Sequence, residues 1–188
     1  MLAGCTSSFE PRLTSLETTK SRLPTVRKIQ SGVEVSMEEF FTPNKSRRAF
    51  DADVGSQGIL PLLVRVENKG SETYQVKQAQ VRAFLEDHQL QPLYAHEAAN
   101  RGASRDYVWN SLVNTAAMGP LAMYWAAASL GVTASQGQSI NRKVEHHFEN
   151  LELQDSLLKP DDTVTGFVYF FVPASTKRLE RLIVDITL

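Results

Sequence analysis

Val164-Thr165-Gly166-Phe167-Val168-Tyr169-Phe170-Phe171-Val172 is apolar on both faces that a strand presents. Phe167, Tyr169 and Phe171 point one way and Val168, Phe170 and Val172 the other, because successive side chains of a strand alternate. A strand of this kind has to be covered twice, which puts it in the centre of a layered structure. One cover is expected to be an opposing sheet. The other has to come from elsewhere in the chain.

The surrounding stretches supply the sheets. Leu182, Val184, Ile186 and Leu188 read as a final strand. Ahead of the central strand, Lys159-Pro160-Asp161-Asp162 reads as a turn with proline where a type I turn prefers it, and Phe148, Leu151, Leu153 and Leu157 lead into that turn. In the first half, Val33, Val35 and Met37 alternate with Glu34, Ser36 and Glu38, a strand with one wet face. Ile59 to Glu67 is a further strand, with Leu60, Leu62, Val64 and Val66 on one side. Pro61 has no N–H for a ladder, so its start is expected at an edge or bulge. Asn68-Lys69-Gly70-Ser71 then turns the chain, with Gly70 free to take positive φ. Tyr74 and Val76 open the return, Val81, Ala83 and Leu85 alternate again, and Leu90 to Tyr94 reads as another short strand after a turn at Asp87-His88-Gln89. Thr42 to Gly58 is polar and reads as a long loop with one helical turn near Phe50.

Short alternating strands separated by turns predict a mainly β, antiparallel β-sandwich. The stretch Ile59 to Gly70, with its Val66-x-Asn68-x-Gly70 end, and Leu158-Lys159-Pro160-Asp161-Asp162 before the central strand resemble the immunoglobulin-like domains of bacterial envelope proteins. The resemblance covers about half the chain and rests on backbone motifs, so it implies a fold and not an activity.

The second cover for the central strand is expected from an insertion at about 94–147. No charged residue stands between Asp106 and Arg142, and Ala116 to Ala134 is almost wholly apolar or small. Nineteen helical residues would measure about 28 Å, close to a bilayer core. Ala122-xxx-Ala126 and Ala127-xxx-Gly131 would permit close helix contact. Three readings follow: a helical excursion, broken near Gly119-Pro120, that packs on the sheet; a contact to a partner or a second copy; or entry into a membrane. Leu121, Tyr124, Trp125 and Leu130 are the residues that would make the apolar contact. Alanine adds little to insertion, which favours packing on the sheet.

Composition bounds the function. Lys and Arg number 20 against 21 Asp and Glu, so there is no basic footprint for nucleic acid. His96-Glu97-Ala98-Ala99-Asn100 has asparagine where the H-E-x-x-H zinc motif needs its second histidine; Tyr94 to Arg101 reads instead as a short surface helix. His146 and His147 are adjacent, which does not aim both at one metal, and read as part of a solvated stretch, Asn141 to Glu149 being a charged helix or strand lead. Asp155, Asp161 and Asp162 lack EF-hand spacing and read as an acidic turn. No P-loop, dinucleotide fingerprint or nucleophile elbow is present. The expectation is a non-enzyme with no cofactor and no metal.

The one cysteine, Cys5, follows Leu2-Ala3-Gly4 and precedes Thr6-Ser7-Ser8. A buried structural thiol is the usual role of a lone cysteine, but no core lies this near the start. Leu2-Ala3-Gly4-Cys5 resembles the lipobox of bacterial lipoproteins. A full signal peptide of that family carries a basic and an apolar region before the box, where this sequence has four residues. The resemblance implies a diacylglycerol on the Cys5 sulfur, an acylated amino group and, with Thr6 instead of Asp after the cysteine, the outer membrane. Two or three acyl chains anchor stably. Residues 1–5 are then a lipobox remnant, 6–31 a flexible tether of roughly 25–30 Å or, in the alternative reading, a partly ordered arm packed on the domain, and 32–188 a sandwich domain. The expected partners are the bilayer, through Cys5, and an envelope protein. The rival expectation is a carrier of a lipid or other apolar ligand held between the sheet and the Ala-rich insertion.

Overall fold

The computed structural model describes residues 9–13, 26–30, 32–102, 141–173, 176, 179 and 182–186. The fold is mainly β, with antiparallel sheets. In chain order the described elements are β1 (Val26–Gln30), β2 (Val33–Glu39), α1 (Pro43–Phe50), β3 (Ile59–Asn68), β4 (Tyr74–Val76), β5 (Val81–Leu85), β6 (His88–Gln89), β7 (Gln91–Leu93), α2 (Ala95–Gly102), α3 (residues 141–151), β8 (Ser156–Leu158), β9 (Thr163–Phe171) and β10 (Leu182–Ile186).

A five-stranded sheet in the order β1-β2-β3-β9-β7 forms the middle layer. β3 and β9 pair along their lengths, from Ile59 opposite Phe171 to Glu67 opposite Thr163. The pairing of β3 with β2 starts only at Leu62, opposite Glu39. Pro61 therefore stands just past the end of that ladder, where it needs no N–H; its carbonyl accepts from the Phe40 amide at 2.8 Å. β1 lies within the stretch expected as tether. It pairs with β2 from Val26 opposite Met37 to Gln30 opposite Val33, so among the described residues the sheet begins at Val26.

β9 is covered twice, as its sequence requires. On one face Leu60, Leu62, Val64 and Val66 of β3 and Val168 and Phe170 of β9 pack against Val76, Val81, Ala83 and Leu158. These last come from two small sheets, β10-β5-β6 and β4-β8. Tyr74 and Val76 thus do not return against β3 but pair with Leu158 and Ser156 in this outer layer. On the other face Ile59, Leu63, Phe167 and Tyr169 meet Ala49 and Phe50 of α1, Ala95, Ala98 and Ala99 of α2, and Val144, Phe148 and Leu151 of α3. α2 and α3, on either side of residues 103–140, supply this cover with α1. Phe148 and Leu151 are helical there, so Asn141 to Glu149 takes the helical one of its two expected forms, and the lead into the turn is shorter than expected. The Ala-rich stretch 116–134, with Leu121, Tyr124, Trp125 and Leu130, lies outside the described residues.

α1 replaces much of the loop expected over Thr42 to Gly58. Proline at the first helical position suits a helix start, and Arg47 and Arg48 in the last turn complement the negative end of the dipole. Asp51 closes the helix in the left-handed region at φ 53°, with its amide donating to the Arg47 carbonyl. Two turns suffice because Ser46, Ala49 and Phe50 are buried. Ser46 is fully buried and its hydroxyl accepts the Val54 amide at 2.9 Å.

Two of the glycines that the backbone demands bear on the central sheet. Gly32, between β1 and β2, has φ 79°, and a Cβ there would fall 2.7 Å from the Gly70 Cα. The positive φ expected at Gly70 is taken by Gly32 across from it. Gly166 is the second. A Cβ on it would lie 2.2 Å from the Leu153 Cα, because the chain leaving α3 crosses directly over β9. That crossing is fixed by the Leu153 amide, which donates to the Phe167 carbonyl at 2.8 Å, and by a parallel bridge between Glu152 and Phe167.

Candidate functional site

Three polar constellations stand out from this packing. The first is Asn68 at the end of β3, with no exposed surface. Its side-chain amide donates to the Glu72 carbonyl at 2.7 Å and the Leu158 carbonyl at 3.0 Å, and its Oδ1 accepts the Gly70 amide at 3.0 Å. Its backbone donates to the Asp162 carbonyl at 3.0 Å and accepts from the Asp161 amide at 2.8 Å. The two sequence motifs singled out above therefore meet at one side chain. The turn they build also departs from expectation. Asp162 donates to Lys159 across Pro160-Asp161, and Asp161 has φ 66°, the geometry of a type II turn and not type I. The bond from its amide to Asn68 holds Asp161 in that region.

The second constellation joins α2, α3 and β9. Glu152 Oε1 accepts the Ala95 amide at the start of α2 and the Gln78 side-chain amide, each at 2.9 Å. A carboxylate at a helix N-terminus is favourably placed against the dipole. The Tyr169 hydroxyl donates to the Phe148 carbonyl at 3.0 Å. That carbonyl lacks its usual helical partner because the Glu152 amide turns to Glu149 instead, at 3.2 Å. Full burial, with the charge of Glu152 adding, pushes the Tyr169 phenol well above its ordinary range, so it stays a donor. The rings of Phe50, Phe148, Phe167 and Tyr169 pack around it, with Phe50 and Phe148 centroids 4.6 Å apart and Phe148 and Tyr169 5.3 Å apart. The arrangement is structural: Glu152 Oε1 and the Tyr169 hydroxyl are both engaged in holding elements together.

The third constellation lies on the surface. Residues 9–13 dock against the end of α1: the Arg12 and Leu13 amides both donate to the Arg48 carbonyl at 3.1 Å, the Glu10 amide donates to Asp51 Oδ2 at 2.9 Å, and Leu13 is buried. Arg12, Asn44, Arg47, Arg48 and Asp51 line one surface hollow of about 330 Å³. The three arginines are exposed. Among the described residues none of the three forms an ion pair. Lys45, on the same helix, is held between Glu38 at 3.2 Å and Glu39 at 3.1 Å. Burial works against its charge, but the bonds and charges of the two carboxylates outweigh that and raise its pKa.

Phe9 continues this docking. Its ring meets His147 edge-on at 5.4 Å. His147 Nε2–H donates to the Ala49 carbonyl at 2.7 Å, tying α3 to α1. Burial lowers the His147 pKa, partly opposed by that bond. His147 is therefore a packed junction and not a solvated residue, while His146 beside it is exposed.

Of the other sequence candidates, His96 stacks on Tyr94 at 5.8 Å, Glu97 accepts the Tyr94 amide, and Asn100 donates to Glu145 at 3.1 Å. They serve the ends and outer face of α2, the short helix expected there. Asp155 accepts the Gln78 amide and Asp162 the Lys159 amide, both as turn fasteners. Among the described residues no group of three or more His, Cys, Asp or Glu is arranged to hold a metal ion, and no helix is long and apolar enough to cross a membrane. Cys5 lies outside the described residues.

No protein-family model matches the chain, and no curated protein matches it. Among solved structures, the crystal structure of ycdA from Bacillus subtilis, a protein provisionally described as a lipoprotein, is similar at 13% identity with a TM-score of 0.35. The match covers 85% of this chain and 38% of that one, so the chain spans well under half the length of that protein. A likeness this distant assigns neither a family nor a function.

Proposed function

We propose that the chain is an envelope lipoprotein, anchored in the outer membrane through acylated Cys5, whose domain is a non-catalytic protein-binding or scaffolding module. The observation that carries this reading is the single cysteine directly behind Leu2-Ala3-Gly4, with a polar Thr6-Ser7-Ser8 after it. A thioether at that sulfur needs no fold around it and gives a role to a lone cysteine five residues from the start of the sequence.

The domain is read as an immunoglobulin-like sandwich. In support, the five-stranded sheet packs face to face on the strands of β10-β5-β6 and β4-β8, and the two motifs that suggested such a domain are joined through Asn68. A scaffolding role is favoured over a ligand carrier by the layer between sheet and helices. In its described part, between the sheet and the helices α1 and α3, the rings of Phe50, Phe148, Phe167 and Tyr169 pack on one another. Carrier sites need an apolar pocket of several hundred Å³.

Crosslinking in native membranes with the anchor intact, followed by purification and mass spectrometry, tests the role. A defined envelope protein crosslinked in stoichiometric yield supports a scaffold. Co-purification of a tightly held lipid with no crosslinked protein would replace it with the carrier reading.

A further inference from the structure

We infer that the face formed by the docked arm and α1 is a leaflet-contact surface, and that Arg12, Arg47 and Arg48 bind the phosphates of anionic lipid headgroups. The inference rests on the acylation of Cys5 proposed above and goes beyond it in fixing how the domain sits on the membrane.

The argument is first one of reach. Phe9 is fixed on the domain by His147, and Arg12 and Leu13 by the Arg48 carbonyl. Cys5 stands four residues before Phe9. Four residues span at most about 14 Å when fully extended. A lipid on Cys5 therefore draws the leaflet to within that distance of Phe9, and residues 9–13 dock on the domain as the packed-arm reading of 6–31 has it. The domain is held close by one particular face.

The second step is the chemistry of that face. Arg12 comes from the arm and Arg47 and Arg48 from α1, and all three line one hollow. Their guanidinium groups are exposed and form no ion pair among the described residues, in contrast to Lys45. Asp51 shares the hollow and accepts the Glu10 amide, and Glu10 is exposed on the same arm, so three arginines stand against two carboxylates and the face is basic by one charge. Arginine suits phosphate because its planar fork donates two parallel bonds. Near an anionic leaflet each basic residue strengthens contact about fivefold at physiological ionic strength. Three such residues orient a domain that acyl chains already hold in place.

The test uses the full acylated chain in vesicles, with a fluorophore at Thr42→Cys, an exposed site just before α1 and outside the lining of the hollow, or at Leu157→Cys, an exposed site on β8 in the opposite outer layer. Energy transfer to headgroup-labelled lipid is compared in vesicles of 30% phosphatidylglycerol in phosphatidylcholine and in phosphatidylcholine alone. Transfer is expected to be much stronger from Thr42→Cys than from Leu157→Cys with the anionic lipid. That difference is expected to shrink with Arg12→Gln/Arg47→Gln/Arg48→Gln, in pure phosphatidylcholine, or in high salt. Equal transfer from the two sites, or a difference indifferent to the arginines and to lipid charge, overturns the inference and leaves the anchored reading standing. Mass spectrometry of the same preparation separates the two: a bare Cys5 thiol in protein from native membranes removes the anchored reading, and the inference with it.

Discussion

Asn68→Ala is expected to destabilise the domain by about 3 kcal/mol. Three side-chain hydrogen bonds are lost. The one to the Leu158 carbonyl, at 3.0 Å, lies in buried surroundings, and leaving that carbonyl unpaired costs about 1–3 kcal/mol. The bonds to the Glu72 carbonyl and from the Gly70 amide are partly buried, so water can replace them in part, and each adds about 0.5–1 kcal/mol. The backbone bonds between Asn68 and the 159–162 turn remain, which keeps the loss within this range. Urea unfolding reads it as a lower midpoint at unchanged slope. Asn68→Asp sharpens the test. It keeps the shape and the acceptor for Gly70 but turns an oxygen toward two carbonyls. Its folded pKa is then raised above the unfolded value of about 3.9. The penalty is small below that value, because the protonated acid can donate, and grows as pH rises through the folded pKa. An Asn68→Ala midpoint within 0.5 kcal/mol of wild type, or an Asn68→Asp penalty equal at pH 4 and pH 7, would refute the claim that this amide locks the two loops together.

Gly166→Ala is expected to cost roughly 3 kcal/mol or to prevent folding, since the new methyl falls 2.2 Å from the Leu153 Cα; thermal unfolding checks it. Tyr169→Phe leaves the buried Phe148 carbonyl without a donor and is expected to lower stability by about 1–3 kcal/mol in urea titrations, with little change in fold by circular dichroism. His147 has a lowered pKa in the folded state, so as pH falls the unfolded chain takes up the proton first. Its contribution is complete above the unfolded value of about 6.5 and declines as pH drops toward the folded value. His147→Gln should therefore flatten the fall in stability between pH 7.5 and pH 5.5.

Much of the sheet was legible because strand period and strand neighbours agree. β9 is apolar on both sides and is buried on both; Pro61 marked where the β2 ladder stops. The helical cover was harder to read. α1 carries only Ala49 and Phe50 as apolar contacts and buries a serine, so the hydrophobic period that signals a helix is almost absent; Pro43 and the closing arginines were the available signals. β1 was missed because Val26 and Ile29 are its only aliphatic residues, and pairing with β2, not its own pattern, makes it a strand. Gly166 could not be read at all, since what it admits is a crossing chain segment 13 residues earlier in sequence. The polar junctions depend on such non-local meetings. Asn68 was visible as a turn residue but not as the partner of Leu158, 90 positions away, and His147 gave no hint of Ala49. The arginines of the hollow were split between a presumed tether and a presumed loop, and only the docking of residues 9–13 brings them together.

The most direct measurement is the mass of the N-terminal peptide from full-length protein extracted from native membranes. A peptide beginning at Cys5 and carrying diacylglycerol on sulfur, with a further acyl chain on its amino group, is the expected result. A soluble protein whose Cys5 is an unmodified thiol, open to alkylation, would contradict the account.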